Sequence, residues 1–448
     1  MRSIKCVPKI ILRFSALPAG NYNGSFNNLG SNANFWTATE NNSSNAYNRN
    51  FNTGASMNSN NNNKNNQYSV RLVKDSSGDA LPASSLYPLL YRSYRLARKN
   101  KRSTKNQMRF EVALEPQLMS LSEDLANRTY KPLPSVCFIN EKPVKREVIA
   151  ADFRDRVVHH LLCGWLFPIF ERRFIYDSYS CRKEKGTLFA VNRARGFLRS
   201  ASDDFRKDCW VLRLDIKGFF MSINKQILFN AIMDGLARAN YKGVDDIDLC
   251  NFLVRQIVFA KPLENAIFRS PPDAWSDLPS DKSLKNAGDE RGLPIGNLTS
   301  QLFGNIYLDA LDQYIKRELK IKCYGRYVDD MVLVHSDKSV LVDAIDKVRS
   351  FLKDKLKLTL HPKKISLQPA SYGFNFLGKY ILPYRVYPGR RLRKNSLEAL
   401  QNCRSLKEYQ TKLESYKGLY KYVNGVPKVY REFFQNPKGG ENEKQTTV

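Results

Sequence analysis

The chain has 448 residues, with 72 Lys or Arg against 43 Asp or Glu and a formal net charge of +29. That length allows roughly two or three domains with well-buried cores, and the surplus of positive charge points to a densely anionic partner, nucleic acid before membrane, with Tyr and Arg interleaved as stacking and phosphate groups. The eight cysteines are scattered with no C-x2-C pair, which argues against a zinc site and for reduced thiols in a cytosolic protein.

The first twenty residues place Arg2, Lys5 and Lys9 before Ile10-Ile11-Leu12, an apolar stretch too short for a signal peptide. Residues 21–66 hold 19 Asn in 46 positions. Asn is a poor helix and strand former, so this tract reads as a disordered linker or polar loop surface. Gln67 to Asp75 alternates and reads as a strand. Tyr87 to Lys99 and Met108 to Asn127 read as helices around a basic loop, Lys99 to Lys105. Pro132 and Pro134 then begin an extended segment. Arg156 to Phe167 is a further helix. The apolar run Val157 to Phe170 falls short of the ~20 residues of a membrane span, holds His159 and His160, and is broken by Pro168. Val211 to Ile216 reads as a strand, residues 265–290 as an insertion loop, Leu302 to Lys316 as a helix and Ile321 to Val334 as a hairpin. Ser396 to Phe434 is basic and helical, interrupted by Gly425 and Pro427, and the last dozen residues are polar and frayed.

Tyr327-Val328-Asp329-Asp330 lies at the tip of the expected hairpin. Asp is a common turn residue, so this element alone is equally well a polar turn. Asp215 changes the balance. It ends an apolar strand, where a carboxylate is costly unless paired or metal-bound. Phosphoryl transfer needs oxygen ligands for two Mg2+ about 3.5–4 Å apart. Asp215 and Asp329 are candidates to bridge both ions, with Asp330 beside them and the backbone carbonyl of Ile216 as a further ligand. Between these elements, Arg291 to Gln301 contains Gly296, which permits close backbone approach to a nucleotide; the plain alternative is a helix cap at Thr299 or Ser300.

These motifs resemble, in kind and order, the reverse transcriptases of diversity-generating retroelements, over about Leu86 to Phe434. Arg154 to His160 and Asp177 to Thr187 resemble the family's fingers segments, and Asp215 to Phe220 its first palm motif. Leu293 to Gln301 is similar to the nucleotide-pocket motif and Tyr327 to Asp330 to the catalytic hairpin. Leu360 to Lys364 and Phe376 to Gly378 resemble the motifs that close the palm. Most reverse transcriptases carry Gln where this chain has Ile295 and Pro where it has Gln301, and here the chain agrees with the diversity-generating branch.

The resemblance implies an α/β right-hand polymerase carrying an Asn-rich, disordered N-terminal extension. Its parts would be an extension 1–80, fingers 86–210, palm 211–380, thumb 381–435 and a disordered tail 436–448. It implies copying of a template RNA into cDNA from dNTPs, with errors at adenine, in the cytoplasm of a bacterial or phage-infected cell. The partner would be a small basic helical accessory protein, without a membrane. Phe220 would stack beneath the sugar and exclude a 2′-hydroxyl. Arg146 and Arg156 are candidates for triphosphate contacts or, equally, surface arginines. Lys364 would protonate the pyrophosphate, with Lys363 close behind. Gly20 to Asp75 also resembles the variable end of a C-type-lectin-like target protein. Asn codons begin with two adenines, so the tract reads as a translated template repeat; the alternative is a fused lectin-like display module. A group II intron or retron polymerase is the rival within the class. A basic RNA-binding scaffold with a degenerate polymerase fold is the rival outside it, and the intact carboxylates argue against that scaffold.

Overall fold

The computed structural model describes residues 21–22, 26–27, 33–51, 57–64, 81–99, 104–141, 144–420 and 423. The chain divides into two units, Met1–Gly78 and Asp79–Val448. The expected strand Gln67 to Asp75, most of the basic loop before Lys105 and the region past Val423 lie outside the described residues.

In the first unit, Ala33–Glu40, Asn45–Phe51 and Met57–Asn63 form an antiparallel meander. Composition gave no hint of it, because Asn competes with the backbone for hydrogen bonds. Here one pair of Asn side chains bond to each other and another Asn closes a turn. Asn62 Nδ2 donates to buried Asn48 Oδ1 at 2.9 Å, and Asn42 Oδ1 accepts from the Ser44 and Asn45 amides at 2.9 and 2.8 Å. The second of these is a side-chain turn that joins the first two strands.

The second unit is built around a helix, Phe153–Phe170, buried on nearly every side. Asp152 caps it by accepting from the Arg154 amide. The helix continues three residues past the expected end at Phe167; Pro168 falls in its last turn, where it removes one bond rather than breaking the element. Ala83–Arg98 lays Leu86, Leu90, Tyr94 and Ala97 into the core, one stripe at helical spacing. The single helix expected from Met108 to Asn127 is two, Lys105–Val112 and Leu114–Ala126, broken at Ala113. Pro116 explains the break: inside one continuous helix its ring would strike the Val112 carbonyl, whereas in the first turn of a new helix it is tolerated.

Four strands make the central sheet, in the order Tyr324–Tyr327, Asp330–His335, Trp210–Leu214 and Ser366–Pro369, all antiparallel. Alternation sorts the side chains. Leu212, Leu214, Met331 and Leu333 join the main core with the helices Phe153–Phe170, Leu298–Gln313 and Lys338–Leu356. Val211, Val332 and Val334 face a second cluster formed with the helix Thr187–Ala201 and the small sheet of Phe374–Phe376, Lys379–Ile381 and Val386–Pro388. Arg390–Gln401 and Leu406–Tyr420 follow as a helix pair.

The segment 265–290 is less of a free loop than its composition suggested. Ile267–Phe268 runs parallel to Val136–Asn140, itself paired with Arg146–Ala150. Glu147, fully buried, accepts from Trp275 Nε1, Ser283 Oγ and the Leu284 amide at 2.7–2.9 Å. One carboxylate therefore staples this segment to the hairpin. Among the described residues no helix is long and apolar enough to cross a membrane.

A second buried carboxylate, Asp155, accepts from Tyr130 Oη at 2.9 Å and the Leu133 amide at 2.8 Å. Burial outweighs those bonds and pushes its pKa up to about 7. An unfolded Asp has released its proton well below that. Between about pH 4 and 7 the folded chain therefore holds a proton the unfolded chain lacks, and stability falls as pH rises. Asp155→Asn mimics the neutral form. Its melting temperature relative to wild type should rise by the equivalent of a few kcal/mol across this window, and parallel melting curves would contradict the assignment.

Candidate active site

Asp215 and Asp330 meet because of register. Met331 pairs with Leu214, and one step further sets Asp330 opposite Asp215, on the face that carries Arg213. Tyr327 pairs with Asp330, leaving Val328 and Asp329 as the two-residue turn. Val328 has φ +56°, a conformation that a β-branched residue adopts only under constraint. The constraint is Arg326. Its guanidinium is fully buried and grips Asp312 through Nε and Nη2 at 2.8 and 2.6 Å, while Nη1 donates to the Val328 carbonyl at 2.8 Å. Burial disfavours the charge, and Asp312 more than offsets that, so the guanidinium pKa is held above its ordinary value. Tyr324 Oη adds a bond to Asp312 at 2.6 Å.

The outer edge of this hairpin is covered. Arg326 exchanges backbone bonds with Asp177 and Tyr179, both at 2.9 Å, so a segment assigned by sequence to the fingers runs alongside the turn. Gly325 is required there, since a Cβ would come within 2.2 Å of Tyr179 Oη. Asp177 is in turn ion-paired to Arg193 at 2.7 Å and to Lys316 at 3.4 Å.

Three carboxylates are thereby concentrated at one end of the sheet. Burial, then the charges of Asp330 and Asp215, pushes the Asp329 pKa up to about 7. Asp330 is raised by burial and by Asp215, against the pull of Arg213, Lys364 and Arg146. Lys364 Nζ lies 2.9 Å from Asp215 Oδ2 and is more than half exposed. It is carried there by Thr359 to His361, which bond to the Asp215–Lys217 backbone: Lys217 N to Thr359 O at 2.9 Å and His361 N to Asp215 O at 2.8 Å. In that pattern the N–H and C=O of buried Ile216 are not spent on the bridge to Leu360. Lys363 instead turns its amide to His361 Nδ1 at 3.2 Å.

Other expected residues fall into two groups. Arg146 is exposed and within electrostatic range of Asp330. Arg156 is tied by Nε to the Ala151 carbonyl at 2.9 Å and is half-buried beside Asp152. Phe220 is half-buried against Phe219, with its carbonyl accepting from Leu293 at 2.8 Å, so the segment after Asp215 and the loop of residues 291–301 are bonded together. Ile295 bonds through its carbonyl to the Ile149 amide at 2.9 Å. Gly296, with φ +130°, has room for no Cβ without crowding the Ile149 carbonyl at 3.1 Å. The close approach it permits is thus to the hairpin backbone as well as to any ligand. Neither Thr299 nor Ser300 caps the following helix. That position is Asn297, whose Oδ1 accepts from Ala151 N at 3.2 Å, and Thr299 Oγ1 meets His159 Nδ1 at 2.6 Å. Burial, then the neighbouring His160 and Arg156, holds the His159 pKa down to about 3.

Sequence reasoning missed Arg213 and the Arg326–Asp312 pair. The signals were a lone Arg two residues before Asp215 in an apolar strand, and another three before Asp329.

The donor set fits a divalent cation. It is made of hard oxygens, carries surplus negative charge, and is partly offset by one exposed, exchangeable ammonium. Among the described residues, no three His, Cys, Asp or Glu side chains already converge as a closed ligand cluster.

A four-stranded antiparallel sheet backed by helices, with acidic residues at its end, has the build of a polymerase palm. The family model for reverse transcriptase (RNA-dependent DNA polymerase) matches residues 142–381, more than half of the chain, and the chain belongs to this family. Such domains generally depend on a divalent metal. Protein YkfC of Escherichia coli (strain K12) is 23% identical over 314 residues, 62% of this chain and 75% of that protein. Among solved structures, telomerase from Candida albicans, in complex with a TWJ fragment of telomeric RNA, is 11% identical with a TM-score of 0.42, over 66% of this chain and 56% of that one. Apo telomerase from Candida tropicalis, truncated from its C-terminal domain, is 12% identical with a TM-score of 0.42, over 60% and 59%. The chain spans between half and two thirds of the length of these telomerases.

Removing one member of a buried ion pair leaves the other uncompensated, at a cost of about 3–5 kcal/mol. Asp312→Ala should lose stability on that scale in denaturant unfolding. The double substitution Arg326→Met with Asp312→Leu should recover most of it. A double variant as unstable as the single one would show that the pair is not the source of the loss.

Proposed function

We propose that the chain is the RNA-directed DNA polymerase of a diversity-generating retroelement, copying a template RNA into adenine-mutagenised cDNA. The observation that supports the polymerase reading is the strand register that sets Asp330 opposite Asp215, with Asp329 in the adjoining two-residue turn. Ile295 and Gln301 carry the finer assignment, by resemblance.

Asp215, Asp329 and Asp330, with the Ile216 carbonyl, would hold two Mg2+. When bound, such ions lower the pKa of a primer 3′-hydroxyl and stabilise charge on the triphosphate. The chain's own groups do the rest. The Arg326–Asp312 pair fixes where Asp329 stands. Lys364 neutralises Asp215 in the free chain, and its Nζ carries a proton that can pass to the departing pyrophosphate oxygen. Arg146 offers positive charge beside Asp330 for the triphosphate, whereas Arg156, held to Ala151, supports the pocket from behind. Phe220 and the Ile295–Gly296 loop form the nucleotide pocket, with Phe220 excluding a 2′-hydroxyl.

A basic accessory protein and a chain of net charge +29 repel each other, so RNA is the natural bridge between them. Residues 1–80 are a translated template repeat rather than a working part of the polymerase.

Asp215→Ala and Asp329→Ala should each abolish extension of a primer on an RNA template with Mg2+, a loss worth several kcal/mol of charge stabilisation, while the chain stays folded. DNA synthesis by either variant would overturn the site. A chain beginning at Ser84 should extend the primer as the full chain does; loss of activity would make residues 1–80 a working domain.

Fidelity tests the finer reading. Ile295 can neither donate nor accept a hydrogen bond through its side chain, and Gln can do both. One such bond changes discrimination by roughly 0.5–1.5 kcal/mol, about three- to tenfold. Ile295→Gln should lower misincorporation opposite template adenine by that factor, measured by sequencing cDNA from one RNA template. An active variant with an unchanged adenine error rate would remove Ile295 from the argument.

A further inference from the structure

We propose that a basic cleft at the far ends of three helices is a second RNA-binding site, gripping the template's phosphate backbone away from the polymerase centre. The identity of the ligand rests on the RNA-templated reading above; the site itself rests on the following geometry.

Two of the helices, Phe153–Phe170 and Leu298–Gln313, begin together at the nucleotide-pocket loop, where Ala151 N bonds Asn297 Oδ1. Their far ends also meet, where Gln313 Nε2 donates to the Arg173 carbonyl at 2.9 Å and a π-helical turn, Tyr314–Glu318, closes the second helix. The second helix is 16 residues long, about 24 Å at 1.5 Å per residue. The end of Lys225–Arg238 joins them there. These three ends enclose a cleft of about 580 Å3.

Arg172, Arg173, Arg238, Lys242 and Arg317 line it, against the single carboxylate Asp309. Five cations and one carboxylate leave four positive charges. Asp309 is buried and already shared, accepting from Gln313 Nε2 at 3.0 Å and lying 3.8 Å from Arg173 Nη2. Arg172, Arg238, Lys242 and Arg317 are exposed. The other terminal nitrogen of Arg173, Nη1, is buried in the cleft wall and has no hydrogen-bond partner. A buried guanidinium nitrogen without an acceptor is costly, so Arg173 has donor capacity that Asp309 leaves unsatisfied. Gly235 keeps the wall tight, since a Cβ there would come 3.0 Å from Nη1 and 2.4 Å from the Phe170 ring.

The plain explanation is that cations collect at helix C-termini to offset the macrodipole. Each end supplies roughly half a negative charge, so three ends offset less than half of the surplus. Four of the five cations are Arg, whose planar fork matches phosphate oxygens in a bidentate way. A continuous polyanion also satisfies several of them at once, which a single small anion cannot do.

The test combines Arg172→Gln, Arg238→Gln, Lys242→Gln and Arg317→Gln in the full chain. Affinity for a long structured RNA and for a short hairpin primer–template is measured across salt concentrations. Each lost phosphate contact lowers the slope of log affinity against log salt by about 0.7–0.9, so the long-RNA slope should fall by about 3. Extension of the short hairpin should stay within about twofold, since the cleft lies about 24 Å from the pocket loop. An unchanged long-RNA slope overturns the proposal, including the case in which the variant instead loses an acidic protein partner. Should the variant fail to fold, acetylation of Lys242 in the unaltered chain decides: long RNA should block it, the short hairpin should not, and full reactivity under long RNA overturns the site. Failure of the unaltered chain to extend the hairpin would count against the polymerase reading and leave the binding result to judge the cleft.

Discussion

A single guanidinium, that of Arg326, organises the centre of this chain. Burying two ions costs several kcal/mol each, which a pair recovers only with good geometry and further hydrogen bonds. Arg326 and Asp312 meet that condition with two short contacts, a third bond from Tyr324, and backbone bonds to Asp177 and Tyr179. What the pair secures is position. Its remaining nitrogen holds the Val328 carbonyl, and so holds a turn that Val would not choose unaided. The helix Leu298–Gln313, the hairpin and the 177–179 segment are thereby registered against one another through a single side chain.

The same site is destabilised by what it is built to do. Burial and mutual repulsion raise the pKa of Asp329 and Asp330, so the free chain holds unfavourable charge at the end of its best-packed strands. Lys364, Arg213 and Arg146 offset part of it. Of these, Lys364 makes a direct contact, 2.9 Å from Asp215, through a side chain more than half exposed. The central strands need no help to pair: their apolar faces alternate into two cores, and the acidic ends follow wherever register carries them.

Much of this was legible in the sequence. An apolar run gave the strand before Asp215, and strand-like sequence on both sides of the Tyr-Val-Asp-Asp run gave the hairpin. Gly296 marked a close backbone approach, which the structure places at the Ile149 carbonyl. The misses have physical causes. Helical spacing ran straight through Pro116 because periodicity does not register a missing N–H. Asn-rich composition did not mark the strands Ala33–Glu40, Asn45–Phe51 and Met57–Asn63, where Asn62 bonds Asn48. The 265–290 segment looked loose because the group that fastens it, Glu147, lies more than a hundred residues away in sequence and carries no local signal. Arg326 and Asp312 were unreadable for the same reason: each looks like a surface residue until the fold brings both to 0% exposure. Arg146 and Arg156 look alike in sequence, and only the fold shows that the first is exposed near Asp330 and the second is tied to the Ala151 carbonyl.

The central claim is that the three carboxylates hold the metal ions of a polymerase. The most direct measurement is anomalous scattering from a crystal of the chain soaked in Mn2+ with a primer–template and a non-reacting nucleotide. The account requires two metal positions between Asp215 and Asp329, with Lys364 Nζ moved off Asp215. Metal bound elsewhere, with the Lys364–Asp215 contact intact and the nucleotide away from Ile295 and Phe220, would contradict it.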